Sequence, residues 1–195
     1  MENKIRIGIV GYGNLGKGVE MAISQNPDIE LVAIFTRRDP DSISCSSTLI
    51  SLDNLSEYKD RIDVMILCCG SATDLPTMGP ELAAEFNTVD SFDTHAKIPE
   101  YFEKVNAAAK KSGNLSLIST GWDPGLFSLN RLLGETVLPV GKEYTFWGKG
   151  VSQGHSDAVR RISGVINCIQ YTIPIEESIN RIREGEVPSL KTGEK

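Results

Sequence analysis

The chain has 195 residues, 40% of them hydrophobic and 24% charged, with a formal net charge of -6 and a pI near 5.0. That suits one globular domain with a sizeable core and part of a second, while the acidic balance argues against a nucleic-acid or anionic-membrane surface. The longest apolar run, Val64 to Cys69, is far too short to span a bilayer, and Met1-Glu2-Asn3-Lys4 carries no secretory h-region.

The first predicted element is a β-branched strand, Ile5 to Val10, which feeds directly into Gly11, Gly13 and Gly16, spaced G-x-G-x-x-G. A helix over 14–25 follows, with Leu15, Val19, Met21, Ala22 and Ile23 along one side. Strand, glycine turn and helix together form the context of a dinucleotide site. Gly11 permits the tight turn, Gly13 lets the backbone approach a pyrophosphate, and Gly16 lets the helix pack close to the strand. The helix N-terminus offers unpaired N–H groups and a positive dipole end to the phosphates.

A second strand, Glu30 to Phe35, ends in Thr36-Arg37-Arg38. This is where an acidic residue would meet the free 2′-hydroxyl of NAD. A hydroxyl and two guanidinium groups suit a 2′-phosphate instead, so NADP is the expected cofactor, against two arginines merely solvated after a strand. Residues 39–60 read as a loop and a poor helix. A third strand over 62–69 is nearly continuous in apolar character, as a central parallel strand should be, and ends in Gly70-Ser71-Ala72-Thr73-Asp74. Such a strand end faces the cofactor crevice, and an N-cap role for Ser71, Thr73 or Asp74 is equally natural.

A helix carrying Leu82, Ala83, Ala84 and Phe86 leads to a fourth strand over 87–92 and to Asp93-Thr94-His95. A helix over 98–111, closed by Gly113, leads to a fifth strand over 114–119 and to Thr120-Gly121-Trp122-Asp123-Pro124-Gly125. This alternation predicts an α/β fold, a Rossmann-like doubly wound parallel sheet with right-handed crossovers. Beyond it the pattern loosens into a strand over 143–147, a glycine-containing loop over 148–157, a strand over 165–173 and a helix over 175–183. The expected organisation is a dinucleotide-binding domain over 1–135 and, over 136–195, the start of an incomplete α+β substrate and dimerisation domain. The last residues, 191–195, read as an arbitrary stop.

Asp93 and Asp123 stand at strand ends beside the expected nicotinamide position, where carboxylates can hold a substrate ammonium or take a proton from it. Asp123 before Pro124 equally fits a helix N-cap and N1 pair, and Asp93 a solvated loop. Trp122, Phe146 and Trp147 either wall a hydride-transfer site from water or sit in the core. In Ser152-Gln153-Gly154-His155-Ser156-Asp157, amides and Gln153 could grip a carboxylate and His155 with Asp157 could form an acid/base pair, a plain polar loop being the alternative. Cys45, Cys68, Cys69 and Cys168 form no C-x-x-C and read as buried reduced thiols in a cytoplasmic protein. With only His95 and His155 and no ligand-like spacing, no metal site is expected.

Several of these segments, taken in order, resemble the meso-diaminopimelate dehydrogenase family. They are Val10 to Gly16, Ile34 to Arg38, Gly70 to Asp74, Ser119 to Gly125, Thr145 to Gly148 and Ser152 to Asp157, the last continuing to Arg160-Arg161. The resemblance implies an NADP-dependent amino-acid dehydrogenase of diaminopimelate and lysine biosynthesis, acting on the D-centre and forming a homodimer. It places Tyr12, Gly13, Asn14 and Leu15 under the pyrophosphate and Thr36, Arg37 and Arg38 on the 2′-phosphate. Gly70, Ser71, Ala72 and Thr73 would line the cofactor cleft, with Asp93, Thr94, His95 and the run Gly121, Trp122, Asp123, Pro124, Gly125. Asp93 and Asp123 would hold the D-centre amino group, one of them as base. Trp147, Gln153 and Gly154 would position that end of the substrate, and Thr172 would touch the distal carboxylate. Family members continue past Lys195, where they supply an arginine, a histidine and an asparagine for the distal end and much of the dimer contact. The expectation therefore takes two forms: the dehydrogenase itself, or a shortened non-catalytic NADP-binding module.

Overall fold

The structure, a computed structural model, describes residues 4–141 and 149–186. The chain divides into two compact units, residues 1–132 and 133–195.

The first unit is built on one parallel sheet. Its strands are β1 (Ile5–Val10), β2 (Ile29–Thr36), β3 (Leu49–Ser51), β4 (Val64–Leu67), β5 (Asn87–Asp90) and β6 (Ser116–Leu117), in the spatial order β3-β2-β1-β4-β5-β6. Between them run α1 (Asn14–Ser24), α2 (Leu75–Ala83) and α3 (Ile98–Ser112). This is the doubly wound arrangement expected from the alternation, with its order reversing between β1 and β4. β1 sits at the centre because it can be buried on both faces: Ile9 pairs with Ile34 and Ile66, and Val10 with Phe35 and Leu67.

Alternate residues of the strands feed two separate cores, as a period of two requires. On one face Val10, Phe35, Met65 and Leu67 pack with Leu75 and Leu82 of α2 and with Tyr101, Val105 and Ala109 of α3. On the other, Ile7, Ile9 and Ile34 pack with Ile23 of α1 and with Tyr12 and Cys68. α3 buries Tyr101, Val105 and Ala109 at i, i+4, i+8 and ends at Gly113, whose φ of 72° is the left-handed C-cap that favours glycine.

Four features differ from the sequence reading. The stretch 39–60 contains β3, an edge strand pairing Leu49 with Ile34, followed by a 3-10 stretch over Leu52–Arg61. Three residues are too short to show a strand period. The third and fifth strands shrink to Val64–Leu67 and Ser116–Leu117. In α1 the inward face is Gly16, Val19 and Ile23, while Leu15, Met21 and Ala22 are exposed. Of the cysteines, only Cys68 is fully buried, although all four are free.

α4 (Leu126–Val137) runs across the division between the units. In the second unit β7 (Gly150–Val151) pairs antiparallel with β8 (Tyr171–Thr172), and α5 (Gln153–Arg160) and α6 (Glu176–Arg183) complete the regular elements among the described residues. The expected glycine loop over 148–157 is therefore β7 and most of α5. The expected strand over 165–173 is reduced to Tyr171–Thr172 because its backbone is engaged elsewhere. Arg160 Nη1 donates to Cys168 O at 2.8 Å, and Gln170 N donates to Ser156 Oγ at 2.9 Å, so both groups face α5 rather than a neighbouring strand. The expected strand over 143–147 lies outside the described residues.

Candidate active site

Because the six strands are parallel, their C-terminal ends share one edge of the sheet. Every first-unit candidate from the sequence falls on that edge. Gly11 to Leu15 follow β1, Thr36 to Arg38 follow β2, Gly70 to Asp74 follow β4, Asp93 to His95 follow β5, and Gly121 to Gly125 follow β6. Ligands of open α/β sheets bind there, at the point where strand order reverses.

The glycine turn has the geometry a dinucleotide needs. Gly11 has φ +96°, and a Cβ on it would stand 2.7 Å from Cys68 O at the end of β4. A Cβ on Gly16 would collide with Gly11 O, so only glycine lets α1 start this close to the turn. Around Gly13 the space is open, with nothing within 4 Å of a Cβ, and no side chain caps α1. An uncapped helix N-terminus beside open space is what an anionic group requires. Tyr12 follows Gly11 in the same turn. Its side chain is buried with Ile9, Ile23 and Cys68, and its hydroxyl donates to Glu20 Oε2 at 2.6 Å.

Glu20 is in turn a small hub that holds the loop after β2 against α1. Its Oε1 accepts from Ser47 Oγ at 2.5 Å, Ser46 Oγ at 3.4 Å and Cys45 Sγ at 3.6 Å. Burial pushes the Glu20 pKa up, but the hydrogen bonds from Ser47 and Tyr12 outweigh it and hold the carboxyl below its usual value.

At the end of β2, Thr36 is buried and its hydroxyl accepts from Arg38 N at 3.1 Å. Arg38 reaches back to the glycine turn, donating from Nη2 to Tyr12 O at 2.6 Å. Arg37 reaches to the β4 loop, where its Nη1 and Nη2 donate to Asp74 Oδ1 and Oδ2 at 3.1 and 2.8 Å. Asp74 occupies the N-cap position of α2 but makes no capping bond there. Its Oδ2 accepts from Gly70 N at 3.0 Å instead. Desolvation raises its pKa, yet the Gly70 N–H and the Arg37 guanidinium together hold it below the ordinary carboxylate range. The neighbouring thiols do not offer nucleophiles: burial pushes Cys68 up to about 12 and Cys69 up to about 11.

The two candidate carboxylates sit in contrasting surroundings. Asp93 is exposed and joined to the β4 loop, Ser71 Oγ donating to its Oδ1 at 2.5 Å while Asp93 N donates to Ser71 Oγ at 2.9 Å. Thr94 and His95 follow, opening a 3-10 turn over His95–Lys97. Asp123 is half-buried in a closed turn, where Gly121 N donates to Pro124 O at 3.0 Å. Its reading as a helix N-cap is overturned, because α4 begins three residues later at Leu126. Trp122 is 60% exposed beside Phe127, so it is no core residue. Phe146 and Trp147 lie outside the described residues.

Asp90 is a residue that sequence reasoning missed. It is 2% exposed at the last position of β5. Its Oδ1 accepts from Phe92 N and Ser119 N, its Oδ2 from Tyr101 Oη, and its carbonyl from Thr120 N and Oγ1, all at 2.6–3.0 Å. One buried carboxylate thus ties together the segments that carry Asp93 and Asp123. The available signal was a charged residue at an inward position of a strand, which is tolerated only when fully hydrogen-bonded.

In the second unit Gln153 and Gly154 open α5, and Thr172 is exposed on β8. The suggested His155–Asp157 pair does not form. His155 Nδ1 lies 2.7 Å from Ser152 Oγ, while Asp157 is paired with Arg160 and Arg161. Among the described residues no group of three or more His, Cys, Asp or Glu could hold a metal ion, and no helix is long and apolar enough to cross a membrane.

Comparisons with known proteins agree with one another. Residues 121–195 match the diaminopimelic acid dehydrogenase C-terminal domain family. The chain is 69% identical over 195 residues to the meso-diaminopimelate D-dehydrogenase of Ureibacillus thermosphaericus, covering 99% of this chain and 60% of that protein. The structure of the Corynebacterium glutamicum diaminopimelate dehydrogenase in complex with DAP is 46% identical, with a TM-score of 0.82, over 95% of this chain and 57% of that one. An engineered D-amino acid dehydrogenase bound to NADP+ is 44% identical, also with a TM-score of 0.82, over 94% of this chain and 57% of that one. The chain therefore spans about 60% of the length of the curated relatives it matches.

Proposed function

We propose that this chain, a relative along nearly its whole length of the meso-diaminopimelate D-dehydrogenases, binds NADP at the C-terminal edge of its parallel sheet and serves the oxidative deamination of meso-diaminopimelate at the D-centre. The observation that carries the reading is the coincidence, on one sheet edge, of an open glycine turn at an uncapped helix with a Thr-Arg-Arg cluster. The first suits a pyrophosphate and the second a 2′-phosphate. Residues 1–135 are assigned to the dinucleotide and residues 136–195 to the beginning of a substrate and dimerisation domain.

The nicotinamide supplies a hydride acceptor at its C4. The chain's own residues do the rest. Gly13, Asn14 and Leu15 present backbone N–H groups to the pyrophosphate, and Thr36, Arg37 and Arg38 meet the 2′-phosphate. Gly70 to Thr73, Thr94, His95 and Gly121 to Gly125 border the cofactor. Asp93 and Asp123 hold the D-centre amino group, and one of them takes a proton from it as the Cα–H leaves as hydride. Water then adds to the resulting imine and ammonia departs, giving L-2-amino-6-oxopimelate. Ser71 and Asp90 fix the two carboxylate segments, so the acid/base group arrives already oriented. Trp147, Gln153, Gly154 and Thr172 are assigned to the substrate on the resemblance.

The test is amine-dependent NADPH formation by the 195-residue chain, given NADP and meso-diaminopimelate in mildly alkaline buffer. A rate that vanishes with the L,L isomer is expected, and Asp123→Asn should lower turnover while leaving NADP affinity nearly unchanged. NADP binding without any rate would leave the non-catalytic NADP-binding module as the reading. Unaltered turnover in Asp123→Asn would remove that carboxylate from the chemistry.

A further inference from the structure

The Arg37–Asp74 pair is more than a surface ion pair. β1 lies between β2 and β4, so this pair joins the two loops that flank the glycine turn, at the point where strand order reverses. The contact is bidentate, the geometry that fixes a guanidinium plane as well as its charge. The two partners differ in exposure, the Arg37 side chain at 65% and that of Asp74 at 16%. Asp74 is therefore the fixed member, anchored by Gly70 N, and Arg37 the outer member that it restrains. The anchoring is tight: a Cβ on Gly70 would collide with Thr73 Oγ1 and stand 3.1 Å from Asp74 Oδ2, so glycine at 70 leaves the carboxylate room to fold back. The Arg38 guanidinium, by contrast, is already held by the Tyr12 carbonyl. Arg37 bonds through its side chain to Asp74 alone among the described residues. Without that carboxylate its guanidinium would be unrestrained, and an unrestrained arginine gives up side-chain entropy when it binds.

We infer that Asp74 is a positioning residue for cofactor selection, holding the Arg37 guanidinium ready for the 2′-phosphate and so favouring NADP over NAD. The inference rests on the NADP reading above and adds a residue to it. Two opposing effects meet here. A carboxylate near a phosphate repels it, but Asp74 acts through a guanidinium whose outward donors remain available, and pre-organisation of that donor prevails.

Asp74→Asn is the informative variant. Its amide oxygen, in the place of Oδ2, still accepts from Gly70 N and Arg37 Nη2, while its NH2 replaces Oδ1 and meets Arg37 Nη1 donor to donor, so the bidentate grip and the carboxylate charge are both lost. Affinities for NADP and NAD are measured by titration calorimetry on the full chain, in the wild type, Asp74→Asn, Arg37→Ala and the double variant. The expected result is about a tenfold loss of NADP affinity with NAD changed by less than about twofold, and no further NADP loss when Asp74→Asn is added to Arg37→Ala. Unchanged or tighter NADP binding would overturn the inference, as would equal losses for both cofactors or an undiminished effect in the Arg37→Ala background. Wild-type chain that binds neither cofactor would instead refute the NADP reading itself, and this inference with it. Should Asp74→Asn fail to fold, Asp74→Ser, which removes the carboxylate and keeps a small polar side chain, is subject to the same outcomes.

Discussion

The two units use similar residues to opposite effect. In the first, Ile9, Ile34, Phe35 and Met65 are 0% exposed, stacked on both faces of one sheet. In the second, Ile166 is 100% exposed and Ile173 68%, and among the described residues Ser156 is buried, its hydroxyl donating to Ser152 O and accepting from Gln170 N. Burial of apolar area orders the first unit, whereas among the described residues of the second the visible order is largely hydrogen bonds and short pairings. The lesson is that composition alone does not place a residue inside; in the first unit, helices packed on both faces of one open parallel sheet do.

The contrast can be broken most directly by making one substitution in both units. Ile9→Ala should cost about 4 kcal/mol, since it leaves a cavity between packed layers, whereas Ile166→Ala should change stability by less than about 0.5 kcal/mol. Urea unfolding followed by circular dichroism checks both, and equal costs would remove the distinction. Next in size is Asp90→Leu. It strands the donors of Phe92 N, Ser119 N and Tyr101 Oη in a buried place and should cost about 3 kcal/mol by the same measurement. An effect below about 1 kcal/mol would show that Asp90 does not organise this edge.

A smaller effect sharpens the comparison through pH. The Glu20 pKa is lowered on folding, so its contribution is fully present above the unfolded value of 4.5 and is lost as pH falls through the lower folded value. Glu20→Gln should therefore cost about 1 kcal/mol at neutral pH and progressively less in acid below that value. A cost that is the same at neutral and acid pH would mean the charge of Glu20 plays no part.

The regions also differed in how far they could be read. Strand, glycine turn and helix were legible at the N-terminus because a buried parallel strand needs a continuous β-branched run and the turn needs glycines at fixed offsets. Gly113 likewise marked the end of α3 correctly. β3 escaped because three residues carry no period, and the strand over 165–173 failed because Arg160 and Ser156 claim its backbone groups from a distance in sequence. Asp123 before Pro124 looked like a cap only while the start of α4 was unknown. Asp90, and the link from Asp74 to Arg37, depend on neighbours 11 to 37 positions away, which no local pattern encodes.

On the proposed reading, the sheet edge of the first unit selects NADP through Thr36, Arg37 and Arg38. Titration calorimetry of the 195-residue chain with NADP and with NAD, repeated on Arg37→Ala/Arg38→Ala, tests it most directly. NADP should bind the wild type about a hundredfold more tightly than NAD, and removing both arginines should abolish that preference while leaving NAD binding nearly unchanged. Equal affinity for the two cofactors in the wild type, or a preference that survives loss of both guanidinium groups, would contradict it.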